Sequence, residues 1–105
     1  MLYKVVFNWD NLDAYQKDIK RTQIQKDCFL NSIDVSRLSS TGDIYFNVFV
    51  NDEKIFTDDI NFKNIFFIMP LLLHNQKINK NDIVSVVIHS NLAINEKIQV
   101  ILNFI

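Results

Sequence analysis

The stretch KINKNDIVSVVIHS, residues 77–90, decides how the chain reads. Its second half carries Val84, Val86 and Ile88 at period two, with Ile83, Ser85, Val87 and His89 on the opposite side. β-Branched residues lose side-chain freedom against a helical turn and pack well on a pleated surface, so this half is a strand. The preceding NKND is turn chemistry, because Asn and Asp accept left-handed backbone and bond their own main chain. The stretch is therefore a turn delivering a strand that is buried on at least one face.

Working outward, the same pattern recurs. KIQVILNFI (97–105) aligns Ile98, Val100, Leu102 and Phe104 on one face. Only NLAINE (91–96) separates it from the preceding strand, which predicts the two as antiparallel neighbours. DIYFNVFV (43–50) directs Ile44, Phe46, Val48 and Val50 inward and leaves Tyr45, Asn47 and Phe49 opposite. VNDEKIF (50–56) continues it as a tight hairpin, Asn51 and Asp52 filling the two central turn positions. LYKVVFNW (2–9) sets Tyr3, Val5, Phe7 and Trp9 on one side, and FLNSIDVSRL (29–38) runs as a strand through Ile33 and Val35. NIFFIMPLLL (64–73) is a further strand in which Pro70, having no N–H to donate, marks an edge, a bulge or a strand end. LLLHNQK (71–77) then places His74 in a turn.

The exception is residues 10–27, DNLDAYQKDIKRTQIQKD, which are charged and carry Leu12, Tyr15 and Ile19 at helical spacing. They read as a short amphipathic helix or as a polar arm, packing on the sheet or on a partner through those three residues. Only two alanines occur in the chain, against extensive helix. With one glycine, Gly42, the turns rely on Asn and Asp. The expected fold is all-β: an antiparallel β-sandwich or jelly roll of about seven or eight strands, with at most one short N-terminal helix. A small barrel is the alternative. The 105 residues, 49% of them apolar, fit a single domain spanning 1–105 with one two-layer core.

Composition narrows function. The net charge is −1 and the basic residues are lysines apart from Arg21 and Arg37, which disfavours a surface that tracks phosphates. One cysteine, Cys28, excludes an intrachain disulfide and a four-cysteine metal site, and its apolar neighbours Phe29 and Leu30 suggest a buried, inert thiol. MLYKVVFNWD at the N-terminus lacks the apolar run of a signal peptide. IFFIMPLLL (65–73) is about half the ~20 residues that a membrane-spanning helix needs, so the expectation is a soluble chain.

No catalytic motif stands out. His74 and His89 have no Cys or His at ligand spacing, and Ser39 and Ser40 lack the strand-turn-helix elbow of a nucleophile. Asp52, Glu53, Asp58 and Asp59 lack the spacing of a calcium loop and read as solvated charge. No enzyme, no metal and no cofactor is therefore expected. The aromatics are more suggestive: nine Phe, three Tyr and one Trp exceed what one small core requires. Tyr45 and Phe49, on the outward face of their strand, are either covered by residues 10–27 or another subunit, or form a stacking platform for sugar rings or bases.

From Asn31 onward the order of features resembles the small β-sandwich domains of tailed-phage virion proteins: capsid auxiliary (decoration) proteins, head-fibre components and receptor-binding modules. The matching stretches are IDVSRLSSTGDIYFNVFVNDEKIF, FFIMPLLLHNQKINKND and DIVSVVIHSNLAINEKIQVILNFI. Asn79-Lys80-Asn81 departs from the glycine that many of those domains carry before the aspartate, and residues 10–27 have no counterpart. The resemblance implies a non-enzymatic virion structural protein, foremost a capsid auxiliary protein. It would be a homo-oligomer, a trimer among the options, bound to the major capsid protein or a head fibre, without membrane or nucleic acid as partner; the interaction residues that spacing and alternation offer are Leu12, Tyr15, Ile19, Tyr45 and Phe49. The alternative is a carbohydrate- or receptor-binding module.

Overall fold

A computed structural model of the chain describes residues 3–37, 43–63 and 71–105. Within them run β1 (Tyr3–Trp9), β2 (Asp18–Gln23), β3 (Cys28–Arg37), β4 (Ile44–Val50), β5 (Glu53–Lys54), β6 (Ile60–Asn61), β7 (Leu71–Ile78), β8 (Ile83–Ser90) and β9 (Ile98–Phe104). One sheet has the order β1-β9-β3-β7, the other β2-β8-β4-β5, with β6 also pairing β4. Among the described residues, all pairings between these strands are antiparallel.

The connectivity has a simple logic. β1 pairs β9, β2 pairs β8, β3 pairs β7 and β4 pairs β5, so first pairs with last and the pairings nest inward. Successive strands alternate between the two sheets except at the tip of the roll, where β4, β5 and β6 share one sheet. A long antiparallel hairpin rolled up in this way is a jelly roll, which settles the sandwich-or-barrel alternative. The last outer strand of the roll is reduced to β5 and β6, two residues each, which is why nine strands stand where seven or eight were expected.

The period-two readings hold for β1, β3, β4, β8 and β9. Phe46, Val48, Val84, Val86, Ile88, Ile98, Val100, Leu102 and Phe104 are fully buried between the sheets, joined by Leu30 and Ile33 across a bulge in β3. Phe46 is met edge-on by Phe62 and by Phe56, and Tyr3 stacks on Phe104 at 4.9 Å. Cys28 is buried as expected, 3.3 Å from the Tyr3 hydroxyl.

Three expectations are corrected. β8 and β9 are not neighbours: β8 lies between β2 and β4, β9 between β1 and β3. A short loop can close a hairpin or cross the ~10 Å between packed sheets, and loop length alone does not distinguish the two. Residues 10–27 hold no helix. Leu12 is bridged to Ile94 and Asp18–Gln23 is strand β2, drawn into extended form by the ladder that β8 offers. Tertiary pairing overrides the helical spacing of Leu12, Tyr15 and Ile19. Finally, His74 lies within β7 rather than in a turn. Most of the NIFFIMPLLL strand, with Pro70, and the residues Ser39, Ser40 and Gly42 fall outside the described residues.

The polar lead-in KINKND now has its explanation. At one end of the sandwich, Asp82 accepts from Asn79 N–H (2.8 Å) and from Asn51 Nδ2 (3.3 Å), while its backbone C=O accepts from Ile24 N–H (2.9 Å). Asn51 N–H donates to Ile83 C=O (2.7 Å), Ile83 N–H to Asn51 Oδ1 (3.1 Å), and Lys80 N–H to Asp27 Oδ1 (2.8 Å). Asn51 (φ 55°) and Asn81 (φ 75°) take the left-handed conformation that asparagine tolerates best after glycine. The patch laces together the three connections at that end.

Candidate functional site

In an antiparallel sheet, residues in register share a face, so the pairings of β8 lay out the outer surface of the β2-β8-β4 sheet. His89 stands opposite Tyr45 in the row nearest the other end of the sandwich. Val87 stands between Ile19 and Asn47 in the next, and Ser85 between Arg21 and Phe49 in the third. Four of the five interaction residues expected from the sequence bear on this region. Tyr45 and Phe49 are half-buried and Ile19 is 48% exposed. Tyr15 lies just beyond the sheet, its N–H donating to Ser90 C=O (2.8 Å), with its side chain 82% exposed. A bulky residue at φ 62° is strained, and the bond to Ser90 helps hold it there. Leu12 is the exception: it is buried, and its backbone exchanges two 2.8 Å bonds with Ile94. Leu12 belongs to the core and not to a docking stripe.

The polar centre of the face is built by Asn47. β4 pairs β5 at Phe49 and Val50, and β6 at Tyr45 and Phe46, leaving a gap between the two pairings. Residues 55–59 loop out across that gap. Asn47, only 2% exposed, replaces part of the missing ladder. Its Nδ2 donates to Phe56 C=O (2.9 Å) and to Asp59 Oδ1 (3.1 Å). Its Oδ1 accepts from Val48 N–H (2.9 Å) and Phe56 N–H (3.2 Å). Every hydrogen-bonding position of the amide is used.

Asp59, held by Asn47, reaches His89 Nε2 at 3.0 Å. Burial pushes the Asp59 carboxyl upward. Hydrogen bonds from Asn47 and His89, with the charges of His89 and Lys17, outweigh it and leave the group below its ordinary value. Asp59 is then ionised at neutral pH and can only accept, so His89 carries its proton on Nε2. The imidazole lies against the Tyr45 ring at 5.3 Å and 16°. Tyr45, His89, Asp59 and Asn47 thus form one fixed cluster of an aromatic face, a positioned imidazole and a carboxylate. Among the described residues no serine sits where this imidazole could activate it. Ser85 is four residues away along β8, about 13 Å at strand rise, and Ser90 is buried with its Oγ accepting from Leu92 N–H.

Sequence reading places Tyr45 and Phe49 on this face. It finds no ligand spacing around His89, takes Asp59 as solvated charge, and misses the role of Asn47. The signal for Asn47 is a lone amide on a strand whose neighbours are all apolar or aromatic, which demands a partner when buried. Among the described residues, no helix is long and apolar enough to cross a membrane. No family model, no curated protein and no solved structure matches the chain.

Proposed function

We propose that the chain is a non-enzymatic structural subunit of a phage particle, a capsid auxiliary protein that seats the outer face of its β2-β8-β4 sheet on a neighbouring virion subunit. The observation that carries this reading is the row Ile19–Val87–Asn47: an aliphatic side chain 48% exposed at the edge of an ordered sheet, between the rows of Tyr45 and Phe49. Apolar and aromatic groups on a rigid face, bordered by Lys17, Arg21 and Lys54, have the anatomy of an interface core with a polar rim. Jelly rolls also build capsid and lectin domains, and the fold analogy supports the reading.

The test is the content of purified particles from the source of this sequence. The chain is expected at a fixed ratio to the major capsid protein. Ile19→Lys and Phe49→Glu variants that retain the circular dichroism of the parent are expected to be lost from the particles. A second reading rests on the Tyr45–His89–Asp59 cluster, since an aromatic face beside a carboxylate is the pairing that binds a sugar ring. Absence from particles, together with glycan-array binding that Tyr45→Ala abolishes, would replace the structural reading with the carbohydrate one.

A further inference from the structure

Among the described residues β1 is the last strand of its sheet, and its outer edge has no backbone partner. Such an edge is a template for another strand, and proteins usually guard it with charge, proline, bulges or brevity. β1 has one charge and none of the other guards. It runs seven residues in unbroken register with β9, carries Lys4 as its only charge, and leaves Val6 44% exposed on the outer face.

β2, the corresponding edge of the other sheet, is guarded. For two copies to meet edge to edge about a two-fold axis normal to the sheet, paired residue numbers must sum to an even value, so that outer face meets outer face. The two central choices for β2 set Lys20 against its own copy or Arg21 against its own copy. Like charges directly opposite each other repel. β1 behaves the other way. A sum of twelve uses the whole strand and sets Val6 on Val6, Val5 on Phe7, Tyr3 on Trp9 and Lys4 on Asn8. YKVVFNW is chemically palindromic about Val6, which is the self-complementarity that an isologous contact requires. Asn8 Oδ1 already accepts from Gln99 Nε2 (2.7 Å) and has a second lone pair for the Lys4 ammonium of the other copy. Shifting the sum to ten or fourteen shortens the pairing and sets Val6 against Lys4 or Asn8.

We propose that the chain forms a two-fold dimer by antiparallel pairing of β1 with β1 of a second copy, centred on Val6, which fuses the two four-stranded sheets into one of eight. This is a different assembly from the trimer among the sequence-based options. It does not depend on the virion reading, which uses the opposite sheet.

The experiment is mass measurement by light scattering, combined with disulfide mapping of the register. The parent chain is expected at twice its 12.4 kDa mass. Val6→Lys, which sets two ammonium groups across the axis, is expected to give a monomer with unchanged circular dichroism, and Arg21→Asp is expected to leave the dimer intact. Val6→Cys should cross-link to itself under mild oxidation, since directly opposite Cβ atoms lie within disulfide reach. Lys4→Cys alone should not cross-link, but should do so when mixed with Asn8→Cys. Buried Cys28 does not compete. If Val6→Lys fails to fold, the cross-links decide. A monomeric or trimeric parent, or a dimer in which Val6→Cys stays reduced, overturns the proposal.

Discussion

Asn47→Ala removes the amide that replaces the ladder between β5 and β6. The variant strands Phe56 N–H and Phe56 C=O, both partly buried, and the buried Val48 N–H, and frees Asp59 from one of its two side-chain partners. An orphaned buried polar group costs about 1–3 kcal/mol, and partial access to water places the two Phe56 groups in the lower half of that range. The expected loss is at least about 2–4 kcal/mol, read from denaturant melts, or at least roughly 10–20 °C in Tm for a domain of this size. Asn47→Asp separates the two halves of the amide. A carboxylate can still accept from Val48 and Phe56, but it cannot donate to Phe56 C=O, and it places a second negative charge beside Asp59. That variant should be destabilised at neutral pH and should recover part of the loss as the pH falls toward 4–5 and the introduced carboxyl protonates. Hydrogen exchange at the Phe56 amide should accelerate in both variants. If both melt within about 0.5 kcal/mol of the parent, residues 55–59 are not anchored by Asn47 and the cluster with His89 loses its foundation.

Phe104, fully buried in a central strand and stacked on Tyr3, should cost about 3–5 kcal/mol when changed to Ala, whereas exposed Lys97→Ala should shift stability by less than about 0.5 kcal/mol; equal small shifts would remove β9 from the core. Burial and then the Cys28 contact push the Tyr3 hydroxyl from 10.0 up to about 12, favouring its neutral form in the folded state. That contribution is complete below pH 10 and is lost between about 10 and 12, so tyrosinate absorbance should show a late step near pH 12, and Tyr3→Phe should abolish it. Asp82→Ala unpins Asn79 N–H and the Asn51 amide, and should cost about 1–3 kcal/mol by chemical melt; an unchanged midpoint would mean the lacing is ornamental.

The strands legible in the sequence are those with one wet and one dry face. β4, β8 and β9 bury alternate residues completely, and the period shows through. β2 does not, because it sits at a sheet edge: Asp18, Lys20 and Thr22 face inward only at the rim, so its two faces are nearly equally polar. The partition of β8 and β9 between sheets was equally hidden, since period two is the same whichever sheet a strand joins. Of the site, Tyr45 and Phe49 could be placed outward by alternation alone. The contacts among Asn47, Asp59 and His89 could not, because they depend on the β4–β8 register and on how residues 55–59 leave the sheet. Which of its two expected settings Leu12 would take, the sheet or a partner, was hidden for a related reason: its burial in the sandwich follows from the bridge to Ile94, far along the chain.

The nesting of the strands also fixes an order of assembly. Tyr3 must find Phe104, whereas Val50 finds Glu53 across a two-residue turn. Loop-closure entropy therefore favours starting at the β4–β5 hairpin and zipping outward through β3–β7 and β2–β8 to β1–β9, each step shortening the loop that the next must close. On the ribosome, at about 5–20 residues per second, β1 waits roughly 5–20 s for its partner. Throughout that interval its row of Tyr3, Val5, Phe7 and Trp9 is exposed on a strand with two open edges. The pairing that closes the roll is the last to form, and its delay makes β1 the segment most in need of a chaperone during synthesis.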